Sequence, residues 1–291
     1  MAAAAMVVVA LAGSPVKAQT GAVSALGADA GYVATMTFDV ASVRESKPDM
    51  ERGFTVGGSF TPHTCYLRLE NNSLMNLVMW AYPVDAYQID GLQKLPREMQ
   101  MATFNVEAKS DAAADERLAG LSKEQQRLEQ EHMVQAMLAE RFKLKTHWET
   151  RDAKTYDLVV AKSGRLQSTG APPSAEELKN WGDHPVPPLY QRGSSMRGFE
   201  YIGHGATTAD IAEMLAEQFG HPVTDKTGLT GKYDFDLKSY EIRARDRKDD
   251  ETNPWPPLDE AIEGQLGLNL VVSHGPVRFL VIDHMEMPSE N

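Results

Sequence analysis

The second half of this sequence restates the pattern of the first, which limits the chain to architectures assembled from one small unit used twice. Ser73 is placed to cap a helix whose apolar stripe is Leu74, Leu77, Val78 and Ala81, and which ends before Pro83. Thr207 with Asp210 has the form of a capping box, and the helix behind it carries Ile211, Met214, Leu215 and Phe219 before stopping at Gly220. A strand candidate precedes each helix, at residues 66–69 and 199–202. Downstream, residues 104–110 (FNVEAKS) match residues 233–239 (YDFDLKS) position by position in character, both reading as strands with one apolar face. A second helix follows in each half. Its stripe is Val134, Met137 and Leu138 in the first copy, and Leu258, Ala261, Ile262 and Leu266 in the second. Leu138, Phe142 and Leu144 share their spacing with Ile262, Leu266 and Leu268. Each copy is then expected to close with a hairpin, 143–148 with 156–161 and 268–273 with 278–284, turning at 149–155 and 274–277. Connections that short demand antiparallel pairing. The expected fold class is therefore α+β: a duplicated βαββ-αββ unit with antiparallel sheets and helices packed on one face.

Around the repeat, the chain divides into a signal peptide at 1–18, a flexible segment at 19–34, a first unit at 35–163, a Pro-rich linker at 164–195 and a second unit at 196–291. The signal reading rests on an apolar run, residues 2–12, too short to span a bilayer, and on the small-residue ending at Ala18, although no Lys or Arg follows Met1. It predicts a periplasmic or secreted protein with no membrane span. Further strand candidates are residues 35–43 and 54–56. Forty-one acidic against 29 basic residues give a formal charge of -12, which repels phosphate backbones and anionic lipid and argues against a nucleic-acid partner. The mixed-charge run 241–252 reads as a solvated loop. Cys65 is the single cysteine, so an intrachain disulfide is impossible and a buried structural thiol is expected.

The chemical motifs are sparse. No G-x-S-x-G nucleophile turn and no H-E-x-x-H zinc motif occurs. Asp234 and Asp236, two apart on a strand, share a face and read as solvated charges. Histidines 204, 221, 274 and 284 lack ligand spacing; His274 and His284 are the weak metal candidates, to be realised only if the last sheet brings two histidines together. No cofactor is expected. The most distinctive loop is Asp225-Lys226-Thr227-Gly228-Leu229-Thr230-Gly231-Lys232-Tyr233. Its spacing departs from a phosphate-binding P-loop, and a strand follows instead of a helix. It reads as a hairpin connection in which glycines supply positive φ, Asp225 or Thr227 bonds the turn backbone, and the ordered surface is available for recognition. Trp80 with Tyr82, Trp148, Trp181 and Trp255 are candidates for a sticky aromatic patch.

Five blocks in order resemble a known family: 38–43 (FDVASV), 138–144 (LAERFKL), 156–160 (YDLVV), 223–235 (VTDKTGLTGKYDF) and the ending from 281–284 (VIDH) to 288–291 (PSEN). Together, from about Thr35 to the C-terminus, they are similar to an uncharacterised exported protein family associated with soil Acidobacteria. The resemblance implies a secreted protein with no established activity, and a relationship to a domain attached to BlaR-type membrane metallopeptidase sensors. It transfers no catalytic residue, and this chain has no metallopeptidase segment. The strand and helix layout also resembles the short N-terminal domains of secretins and TonB-dependent receptors, which bind other proteins. The expected function is thus a non-catalytic extracytoplasmic module that binds a peptide, a protein or an envelope component through sheet edges and the 225–233 loop. The alternative is an extracytoplasmic hydrolase with an unrecognised site built on Asp225, His221 and Thr224.

Overall fold

The fold is that of a computed structural model, which describes residues 31–46, 57–168, 174–175, 178–179, 186–194, 198–240 and 255–288. The signal run, the strand candidate at 54–56, Trp181 with much of the linker, and the mixed-charge run 241–252 lie outside the described residues. The first half runs β1 (Val40–Glu45), β2 (Gly57–Phe60), β3 (Leu67–Ser73), α1 (Leu74–Ala81), β4 (Ile89–Asp90), α2 (Arg97–Met101), β5 (Thr103–Lys109), α3 (Ala112–Ala119), α4 (Lys123–Arg141) and β6 (Lys145–Val160). The second runs β7 (Gln167–Ser168), β8 (Leu189–Ser194), β9 (Gly198–Ala206), α5 (Thr208–Phe219), β10 (Val223–Asp225), β11 (Tyr233–Ser239), α6 (Leu258–Ala261) continued by a π turn at Ile262–Leu266, and β12 (Leu268–His284).

Local chemistry explains the elements. Ser73 accepts a hydrogen bond from the Asn76 N–H at 3.2 Å, so the first turn of α1 is capped by its own flanking residue. Thr207 and Asp210 form the reciprocal capping box of α5, and Gly220 ends that helix at φ 63°. Along β5 the apolar residues Phe104, Val106 and Ala108 alternate inward against exposed Asn105, Glu107 and Lys109. Each of the larger ones contributes about 2 kcal/mol by leaving water.

Among the described residues there are three four-stranded sheets: β1-β5-β3-β2, β7-β11-β9-β8 and β10-β6-β12-β4. The first two are antiparallel, and their registers coincide. Leu67, Leu69 and Asn72 of β3 face Ala108, Val106 and Phe104 of β5; Tyr201, Gly203 and Ala206 of β9 face Leu237, Phe235 and Tyr233 of β11. One step of 134 residues (67 to 201) and one of 129 (108 to 237) carry every one of these pairs onto its counterpart, including those flanking the irregularity in each ladder.

The third sheet corrects the expected hairpins. Residues 149–155 and 274–277 do not turn. Instead β6 and β12 each run straight through and pair with one another as one long antiparallel ribbon, from Leu268 opposite Val160 to His284 opposite Lys145. Short β4 and β10 flank it in parallel, Ile89 against Leu280 and Val223 against Tyr156, so the pairing is not wholly antiparallel. Gly275 and Pro276 imitate a turn signal, yet at the middle of the ribbon no third strand requires the missing proline N–H.

This ribbon exchanges material between two cores. The first core, built from β3, β5, α1 and α4, takes in Phe142 and Leu144 just ahead of β6 but also Leu280, Ile282 and Met285 from the end of the chain. The second core, around α5, α6 and β11, takes in Leu266 and Leu268 together with Tyr156 and Leu158 from β6. Each long strand therefore begins in its own half and ends in the other. Asp152 stands opposite Pro276, and the 124 residues between them equal the step from Leu144 to Leu268, so this rung is the point of approximate twofold exchange.

Residues ahead of β1 lie along α4. Glu129 is 2% exposed and accepts hydrogen bonds from the Tyr32 hydroxyl at 2.5 Å and from the backbone N–H groups of Thr35 and Met36 at 2.9 and 2.7 Å. That carboxylate lies first among the causes that push the Tyr32 phenol up to about 12. Cys65, Ala114, Leu118 and Met133 form a small satellite cluster beneath this strap.

Candidate functional site

The 225–233 loop connects sheets rather than closing a hairpin. Asp225 ends β10 beside β6, whereas Tyr233 begins β11 in the β7-β11-β9-β8 sheet. Three hydroxyl and amide donors converge on Asp225: the Thr208 hydroxyl at 2.6 Å on one oxygen, and the Thr227 hydroxyl and N–H at 2.7 and 2.9 Å on the other. Burial raises the Asp225 carboxyl, but these bonds outweigh it and hold the group below its ordinary range. Thr208 also reaches the Leu229 carbonyl at 3.2 Å, so the first turn of α5 pins the start and the middle of the loop. Gly228 takes φ 68°, and a side chain at Gly231 would meet the Tyr233 hydroxyl at 2.7 Å. Lys226 pairs with Asp157 of β6 at 2.7 Å, and its N–H continues the ladder to the Leu158 carbonyl. Asp225, Lys226, Gly228, Leu229, Thr230 and Lys232 are exposed, while Tyr233 is buried.

Other sequence candidates fall apart in space. Thr224 and Asp225 are neighbours on β10 and so point to opposite faces, and the His221 ring lies edge-on to Tyr156 with centroids 5.9 Å apart. His274 and His284 occupy one extended strand ten residues apart, a span of roughly 33 Å that no shared metal bridges. His284 lies 2.8 Å from Glu286 instead. Among the described residues no cluster of three His, Cys, Asp or Glu is arranged to hold a metal ion. Asp234 accepts from the Gly205 N–H at 2.7 Å, and Asp236 pairs with Lys238 at 3.3 Å. Burial, then the Asp115 carboxylate, push the Cys65 thiol up to about 11, which suits a structural cysteine.

A second surface emerges at the centre of the ribbon. On one face, Trp148, Thr150, Asp152, Val272, His274, Pro276 and Arg278 are all exposed, although the same face is buried at both ends by Leu280 and Leu158. Two cations there lie over rings. The Arg278 guanidinium is 3.8 Å from the Trp148 centroid, and the Lys154 ammonium is 4.6 Å from that of Tyr156. Lys154 and Arg278 stand 124 residues apart, the same step that relates Asp152 to Pro276. Extending the repeat past Leu268 is the sequence signal that pairs them; Trp148 alone was visible without it. Behind the ribbon, Arg151 bonds Glu149 at 2.6 Å and Asp90 at 2.7 Å, and holds both carboxyls below their ordinary range.

The sequence pattern of one protein family spans residues 75–285, from α1 to the end of β12, and so takes in both surfaces. The chain belongs to DUF3738, a family of proteins of unknown function. Comparison with curated proteins finds no match, and neither does comparison with solved structures. Within the DUF3738 segment lie the second core, most of the first and the whole ribbon, whereas β1, β2 and β3, which bring Val43, Leu67 and Leu69 to the first core, precede it. No helix among the described residues is long and apolar enough to cross a membrane.

Proposed function

We propose that this chain is a non-catalytic extracytoplasmic binding module for a peptide, a protein or an envelope component, built from two copies of one β-α-β-β-α-β unit. The coincident ladder registers of the two halves support the duplication. Export rests on the apolar run and small-residue ending of residues 1–18. The observation that carries the binding role is the open centre of the ribbon. There Trp148 and Val272 are 37% and 57% exposed, with Arg278 and Lys154 laid over aromatic rings. Aromatic and guanidinium groups held on a rigid strand pair lose little side-chain freedom on contact, which is why such groups dominate binding energy at interfaces. The pinned 225–233 loop supplies a second rigid exposed surface on the same scaffold.

The test uses the mature chain from Gln19 as bait in envelope extract, beside the Trp148→Ala, Val272→Asp double variant. A partner retained by the wild type and lost by the variant at unchanged thermal stability is the expected result. Clean bait with no specific partner, or equal capture by both, would overturn the reading.

A further inference from the structure

The ribbon has two outer edges that correspond under the 124-residue step, and they are defended very differently. At the end where β4 flanks β12, the outer edge of β6 is open; at the end where β10 flanks β6, the outer edge of β12 is open. The β6 edge carries Lys145, His147 and Glu149 on the face behind the ribbon, with His147 bound to Asp283 and Glu149 to Arg151. The matching β12 positions are Asn269, Val271 and Ser273. From Leu268 to Val277 not one Lys, Arg, Asp or Glu occurs. Val271 and Val272 are 46% and 57% exposed on opposite faces of that edge. Among the described residues no strand pairs with the outer side of 268–273. Proteins block open edges with charge or with proline because unpaired N–H and C=O groups form a template for another strand. Here charge stands on one of two equivalent edges and is missing from 268–273 of the other, a stretch that ends before Pro276.

We propose that the outer edge of β12 at 268–273 receives an extended, uncharged-to-basic segment of another polypeptide as an added strand. This proposal rests on the binding-module reading and names its surface. Main-chain bonds supply the affinity, and Val271 and Val272 favour β-branched side chains beside them. Charge selects the occupant: a chain at -12 repels a second copy of itself and any acidic segment, and draws in a neutral or basic one.

The probe is a blocked peptide Lys-Thr-Val-Thr-Val-Thr-Val-Lys, with a Glu-flanked counterpart, added to the mature full-length protein. Binding is measured by titration, and amide exchange at 268–273 reports the location. The expected result is preference for the Lys-flanked peptide, slowed exchange at those amides, and a loss of at least about tenfold with Val271→Lys, which restores an edge charge. Circular dichroism and thermal melting verify that the variant is folded. No binding, or binding indifferent to Val271→Lys, overturns the edge assignment. Dimerisation of the wild type abolished by Val271→Lys overturns it in favour of a second copy. An envelope partner that survives Val271→Lys but is lost with Trp148→Ala removes the edge and leaves the module reading standing; absence of any envelope partner removes the module reading itself.

Discussion

Two carboxylates do opposite work in this chain. Glu129 is buried and holds the strap ahead of β1 by two backbone N–H groups and a phenol, so its removal leaves three donors without their acceptor. Glu129→Ala is expected to cost about 3 kcal/mol and to open residues 31–38 to limited proteolysis, while Glu129→Gln, which still accepts hydrogen bonds, costs less. Chemical denaturation of the two variants measures this, and equal stability for both would contradict it. Asp225 is exposed and tightly bonded, with its carboxyl held below the ordinary range. Its contribution is present above its unfolded pKa of about 3.9 and is lost as pH falls through the lower folded value. Asp225→Asn should therefore lower stability near neutrality, leave it little changed in strong acid, and so flatten the fall below about pH 4. Denaturation midpoints across that range in both proteins are the measurement, and parallel acid limbs would refute the assignment.

At the level of elements, the informative strands are the long ones. Leu280 belongs by sequence to the second half and by burial to the first core, whereas Leu268 on the same strand serves the second. Leu280→Ala is expected to cost about 3 kcal/mol and to speed amide exchange in α1 before α5; Leu268→Ala reverses that order. Helices α1, α4 and α5 were legible in the sequence because their caps and 3.6-residue stripes are local: Ser73, Thr207 with Asp210, and Gly220 each act within one turn. Strands β3, β5, β9 and β11 were legible from alternation. The ribbon was not, because Gly275-Pro276 carries the chemistry of a turn and because pairing partners more than a hundred residues away leave no periodic trace. The loop at 225–233 stood out for its glycines and for an Asp225 or Thr227 able to bond the turn backbone. Its Thr208 anchor was missed, since a hydroxyl inside a helix's first turn looks like part of the cap.

For the molecule as a whole, every rung of the ribbon joins residues at least 108 apart in sequence, Val160 to Leu268 being the nearest. Such non-local pairing delays folding, because loop closure must come before the contacts that offset it. Neither core is complete without the other half's strand. Fragments cut in the loop 161–166 should therefore each lack a cooperative melt alone, yet combine one to one with native circular dichroism when refolded together; a cooperative melt for either fragment by itself would contradict the exchange. Strand exchange also decides how the molecule bears load. Tyr32 is bound to Glu129 on α4, and Met285 is packed into the first core, so both ends of the described chain are seated on the same lobe. Tension drawn through either end pulls on that lobe first, and its neighbour, off the line of force, bears none of it directly.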